Sequence, residues 1–187
     1  MNKVLNELIL GKIKVLFFEE GIHMKVFGTA ERGVIKMLNA LQVANYFLNK
    51  SVPNTDYSIT HLKLQKLVYY AQAWYYTFTG ERLFEEQIEA WVHGPVCREL
   101  YTEFREWGYR QIIVEGIEPP ILNKNQKEIL ELVWDNYGAF DGKYLEALTH
   151  SEAPWIDARG EVGDFDLSNN IITPEKMRAY YEKRLDG

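Results

Sequence analysis

IEAWVHGPVCRELY, residues 88–101, changes its hydrophobic period halfway along. Ile88, Ala90 and Val92 alternate with Glu89, Trp91 and His93, the two-residue repeat of a strand with one face inward. Gly94 and Pro95 interrupt it. Proline holds φ near the helical value and lacks an N–H that a first-turn residue would leave unbonded, so Gly94-Pro95 predicts the start of a helix. From there Val96, Leu100, Phe104 and Trp107 recur at helical spacing, opposite Arg98, Glu99, Thr102, Glu103, Arg105 and Glu106. Gly108 closes the run. The expectation is a strand, a sharp corner at His93-Gly94-Pro95 and an amphipathic helix of about three turns. An imidazole, the Cys97 thiol and a helix N-terminus within five residues admit an active-site loop. A structural or partner-binding corner is the better reading, because no catalytic context surrounds it.

Upstream, Leu64, Leu67, Ala71, Trp74 and Phe78 step by three and four, which predicts the longest helix, about His61 to Phe78, capped by Ser58 or Thr60. Lys63, Lys66, Tyr70 and Thr77 form a neighbouring stripe expected to be wetter. Before it, Leu38, Leu41, Val43, Ala44, Phe47 and Leu48 make one helical face, ended at Ser51, Pro53 and Asn54. Arg82-Leu83-Phe84 is expected as a short strand antiparallel to 88–92, and Gln111 to Val114 as another. Downstream, Asn123 or Asn125 caps a helix with Ile129, Leu130, Val133, Trp134 and Tyr137 inward, closed by Gly138. Tyr144, Leu145 and Leu148 belong to a shorter helix ending at Thr149-His150. Ser151 to Trp155 reads as a turn, Gly160 to Asn170 as a loop, and Thr173-Pro174-Glu175 as the start of the last helix. The sum is a mainly α, α+β domain: a bundle of about six helices with a small antiparallel β element.

The first 36 residues differ from the rest. Ile13, Val15 and Phe17, a turn at Glu19-Glu20-Gly21, then Ile22, Met24 and Val26 suit a β-hairpin appendage, with Thr29 to Gly33 as linker. The competing reading starts the functional protein at Met37. Residues 1–36 are therefore taken as an extension and 37–187 as the domain.

Of 187 residues, 47% are apolar and 14% aromatic, including twelve tyrosines and five tryptophans, the composition of a folded globule. The net charge is −6, with six basic and four acidic groups in residues 1–36 against fifteen and twenty-three in the remainder. A body that acidic lacks the footprint of a protein holding nucleic acid by its phosphates. The one cysteine excludes an internal disulfide, and no signal peptide or membrane-length apolar run occurs. A soluble cytoplasmic protein is expected.

Three stretches, THLKLQKLVYYAQAW (60–74), IEAWVHGPVCRELYTEF (88–104) and LEALTHSEAPW (145–155), in this order and spacing, resemble the Panacea domain, a family that includes SocA-like antitoxins and phage-associated GepA-like proteins. The resemblance spans about residues 37–185, and the family's usual start matches Met37. It implies a mostly helical, non-enzymatic antitoxin of a two-gene module that neutralises a nearby-encoded protein toxin by direct binding. It also implies a role as adaptor delivering the toxin to a ClpXP-type protease. The alternative is a DNA-binding autorepressor, or a phage-associated regulatory protein without a toxin partner.

Bond-making chemistry has little support. Neither paired C-x-x-C nor H-E-x-x-H occurs among His23, His61, His93, Cys97 and His150, so no metal or other cofactor is expected. Val96 and Leu100 suit a Cys97 thiol turned toward apolar neighbours and inert, and no phosphate-cradling glycine loop is present. For nucleic acid, Lys63, Lys66, Arg98, Arg105 and Arg110 beside Tyr70 and Tyr101 would have to share one surface, against the simpler reading of solvated helix faces. Trp91, His93, Gly94, Pro95, Tyr101 and Trp107, near the corner, are the candidates for partner binding. Aromatic groups partly exposed on rigid elements are typical anchors.

Overall fold

Helix starts are fixed by side chains that bind orphan N–H groups. In this computed structural model, which describes residues 37–163 and 165–185, Asn39 accepts from Gln42 N while the Gln42 side chain accepts from Asn39 N, a capping box that opens α1 (Ala40–Lys50). Such a cap is worth about 1 kcal/mol. Thr60 accepts from Lys63 N and opens α2 (His61–Thr79). A second capping box, Asn123 with Gln126, opens the helix Lys124–Tyr137.

α2 is the axis of the domain. Fifteen of its 19 residues are buried, so the wetter stripe expected at Lys63, Lys66, Tyr70 and Thr77 does not exist. Other elements pack all round it, and each buried polar group has found a use. Lys63 Nζ donates to Asp56 O at 2.7 Å and Lys66 Nζ to Pro95 O at 3.0 Å. Gln65 grips the backbone of Cys97, accepting from its N–H at 2.8 Å and donating to its carbonyl at 3.2 Å. Two turns later Gln72 does the same for residues 83 and 84, accepting from Leu83 N at 2.8 Å and donating to Phe84 O at 2.9 Å. A glutamine amide thus replaces the strand partner that Arg82-Leu83-Phe84 was expected to have.

The partner of the first strand comes from the corner itself. β1 (Ile88–Trp91) pairs antiparallel with β2 (Gly94–Cys97), with Ile88 opposite Cys97 and Trp91 opposite Gly94. Pro95 therefore sits in a strand and not in a first helical turn, and the helix begins three residues later. Val92 and His93 form the two-residue turn, and Gly94 directly after it takes φ +91°, a backbone conformation that favours glycine. A Cβ on Gly94 would lie 2.8 Å from both Lys66 Nζ and Thr149 Oγ1. On its other side β1 receives the returning chain: Ala90 N donates to Asn170 O and Ile172 N to Ile88 O, both at 2.8 Å. Residues 111–114 form no strand beyond a bridge of Gln111 to Thr60.

After β2 come α3 (Arg98–Phe104), a 3-10 turn (Arg105–Trp107), α4 (Lys124–Tyr137), α5 (Gly142–His150), α6 (Ala153–Arg159) and α7 (Pro174–Leu185). α6 replaces the turn expected at Ser151 to Trp155 and brings the α-helices to seven among the described residues. Its proline lies in the first helical turn, where a missing N–H costs nothing. α2 packs against α1, α3, α4, α5, α7 and β2. The hairpin expected within residues 1–36 lies outside the described residues.

Candidate functional site: an aromatic and basic groove

Two nearly buried carboxylates organise the surface beside the β1–β2 turn. Glu89, on β1, accepts from Arg98 Nε at 2.9 Å and Arg98 Nη2 at 2.7 Å, a two-pronged grip that fixes the guanidinium. It also accepts from Trp91 Nε1 at 2.7 Å. The same guanidinium lies 5.4 Å from the Trp91 ring centre and donates to Asn169 at 3.1 Å. Tyr101 packs on Trp91 at 4.9 Å and on His61 at 5.2 Å, so the aromatic wall is braced from both ends.

Glu146, on α5, accepts from His93 Nδ1 and from Lys143 Nζ, each at 2.8 Å. Burial works to raise its pKa, yet these two hydrogen bonds and the charges behind them hold it below its usual value. Lys66 lies beneath the turn with no solvent contact. Its burial pushes the amine down to about 7, with Glu146 opposing and Lys143 assisting that shift.

Between these supports runs a groove of about 830 Å³. Leu62, Val92 and Val96 supply apolar floor, Trp91, Tyr101 and Tyr109 aromatic wall, and Arg98, Arg105 and Lys143 the cations; among the described residues no Asp or Glu lines it. Of the residues expected at a partner surface, Trp91, His93 and Tyr101 line this groove. Gly94 and Pro95 are buried supports of the turn. Trp107 is half-buried and off the groove wall, its ring covered by Arg110 at 5.8 Å. Tyr109, 89% exposed, stands at the wall instead. Tyr109, Lys143 and Leu167 escaped the sequence reading, in which Arg105 stood only on a polar helix face and in the basic set weighed for nucleic acid. Tyr109 and Leu167 lie in loops whose direction no periodicity encodes, and Lys143 is brought in by packing of α5 on α2.

The basic surface that nucleic-acid binding would require is not assembled as a whole: Lys63, Lys66 and Tyr70 are buried in the core, while Arg98, Arg105 and Tyr101 line the groove. Cys97 is 2% exposed and its thiol is pushed up to about 12, first by burial. Such a thiol stays protonated and unreactive at neutral pH. Among the described residues, no three His, Cys, Asp or Glu side chains converge as a metal site requires, and no helix is long and apolar enough to cross a membrane.

The three motifs quoted above meet around this groove. Tyr70 and Tyr181 donate to Glu152 at 3.4 and 2.7 Å, His150 stacks on Trp155 at 4.0 Å, and Trp155 Nε1 donates to Trp91 O at 2.9 Å. Arg159, also on α6, is buried and donates to Ala90 O at 3.3 Å. Most motif residues thus build the frame, while a minority face the groove.

A family model described as antitoxin SocA-like, Panacea domain, matches residues 64–156. The antitoxin SocA of Caulobacter vibrioides (strain NA1000 / CB15N) is 32% identical over 130 residues, covering 63% of this chain and 69% of that relative. No solved structure matches the chain.

Proposed function

Because the chain belongs to the family of SocA-like antitoxins with a Panacea domain, we propose that it is the antitoxin of a two-gene module and neutralises its toxin by binding it directly at the groove beside the β1–β2 turn. It works in the cytoplasm and performs no bond-making of its own. The observation that carries the choice of surface is the braced wall of Trp91 and Tyr101. Both rings are held by neighbours before any partner arrives, so little side-chain entropy is lost on binding, and anchors of this kind supply most of an interface's energy. Tyr109 extends the wall into solvent.

The test is growth rescue. Each adjacent open reading frame is induced alone and together with this protein. One of them is expected to arrest growth alone and to be tolerated in its presence, with the two polypeptides purifying together. Arrest that wild-type protein never relieves, or the absence of any toxic neighbour, contradicts the proposal. Neutralisation by masking and by delivery to a ClpXP-type protease separate in the same strains, because delivery shortens the toxin's half-life only while the protease is present.

A further inference from the structure

The groove's charge is opposite to that of the molecule around it. The protein carries −6 overall, yet among the described residues the groove is lined by three cations and no carboxylate. Two of the three are partly spent, Arg98 on Glu89 and Lys143 on Glu146. Arg105 is different. Its only described ion pair is a 3.6 Å approach to Glu106, with both side chains mostly exposed, an arrangement worth little. The guanidinium is thus free to take another carboxylate, at the edge of a floor and wall built from Leu62, Val96, Trp91 and Tyr101.

The geometry points to an acidic, apolar-flanked segment of the toxin as the occupant of this groove: one or two Asp or Glu side chains received by Arg105 and Lys143, with large apolar neighbours seated against Trp91 and Tyr101. This rests on the antitoxin reading above and gives the partner segment its chemistry. Magnitude decides against a polyanion. The two carboxylates behind the groove cancel most of its positive charge, leaving too little to hold a run of phosphates, and acidic groups of the body within the Debye length of about 8 Å repel one. A single carboxylate needs one well-placed guanidinium, which Arg105 supplies. The groove volume lies within the range of sites that bury several side chains' worth of ligand.

The experiment uses the full chain with the toxin identified by growth rescue. A photo-crosslinking p-benzoylphenylalanine at position 109 marks the toxin segment that reaches the wall. The expected segment contains Asp or Glu beside apolar residues. Changing that acid to Lys is expected to weaken binding at least 30-fold, and Arg105→Glu to recover at least 10-fold of the loss, with each protein's melting temperature unchanged. A crosslinked segment without an acid, or a charge swap that recovers nothing, overturns the inference and leaves the antitoxin reading standing. Absence of any toxin binding removes both. A dT20 oligonucleotide is titrated in parallel: no binding is expected, and binding that Arg105→Glu abolishes would make the groove a nucleic-acid site and overturn the proposal.

Discussion

Glu146 and Glu152 lie less than two helical turns apart in sequence, both nearly out of solvent, and the fold treats them in opposite ways. Glu146 meets the His93 ring and the Lys143 amine, whose side chains are 64% and 68% exposed. Its pKa is held down despite burial. Glu152 meets tyrosine hydroxyls, and burial pushes its carboxyl up to about 7 against the hydrogen bonds of Tyr181 and Tyr70 and the charge of Arg184. The carboxylate at the groove therefore stays ionised and steadies the Lys143 cation presented to solvent. The one in the core has its ionisation disfavoured by burial and serves to collect hydroxyls. A nearby pair of like residues is thus divided between recognition and stability, and that division can be broken at either end.

The largest effect is expected at Glu152→Ala, which leaves the Tyr181 and Tyr70 hydroxyls without their acceptor and opens a cavity. A loss of about 3 kcal/mol or more should appear in urea denaturation. Glu152→Gln keeps the shape and tests the charge. A carboxyl whose pKa rises from 4.5 to about 7 on folding contributes stability that is complete below 4.5 and is lost as pH climbs through 7. Relative to wild type, the Gln variant should therefore gain up to about 3 kcal/mol between pH 4 and pH 8. A pH-independent difference would mean that Glu152 titrates alike in the folded and unfolded chain and would contradict its raised pKa.

Gly94→Ala should cost about 2 kcal/mol, from the positive φ and the close approach of Lys66 and Thr149, with the loss read as a lower melting temperature. Glu146→Gln, by contrast, should change stability by less than about 1 kcal/mol, since its partners are largely hydrated. Its effect belongs in toxin affinity, because Lys143 and His93 lose the anchor that positions them. Equal destabilisation by Glu146→Gln and Glu152→Ala would erase the distinction between the two sites.

Much of this frame was legible in the sequence where periodicity or a cap spoke. The bounds of α2 to within a residue and the inert Cys97 followed from spacing and neighbours, and each cap was narrowed to two candidates, of which the structure uses Thr60 and Asn123. The hairpin did not, because Gly94-Pro95 carries the same letters whether proline opens a helix or lies in an edge strand. What decides is Lys66, whose buried amine takes the Pro95 carbonyl and leaves no room for a side chain at residue 94. Lys63 and Lys66 were read as a wet face for the same reason, since helical spacing shows a polar stripe but not the chain that folds over it. At the groove, Trp91, His93 and Tyr101 were found from their place near the corner, and Arg105 follows Tyr101 by one helical turn, whereas Tyr109 and Lys143 are joined to them only by tertiary packing.

The central claim, that the toxin docks on the groove wall, is tested most directly by titration calorimetry of the purified toxin against Tyr101→Ala/Tyr109→Ala, with Lys127→Glu on the exposed side of α4 as control. The predicted result is an affinity at least 100-fold weaker for the double variant and unchanged for the control, with melting temperatures alike. Wild-type affinity in the double variant, or an equal loss in the control, would contradict it.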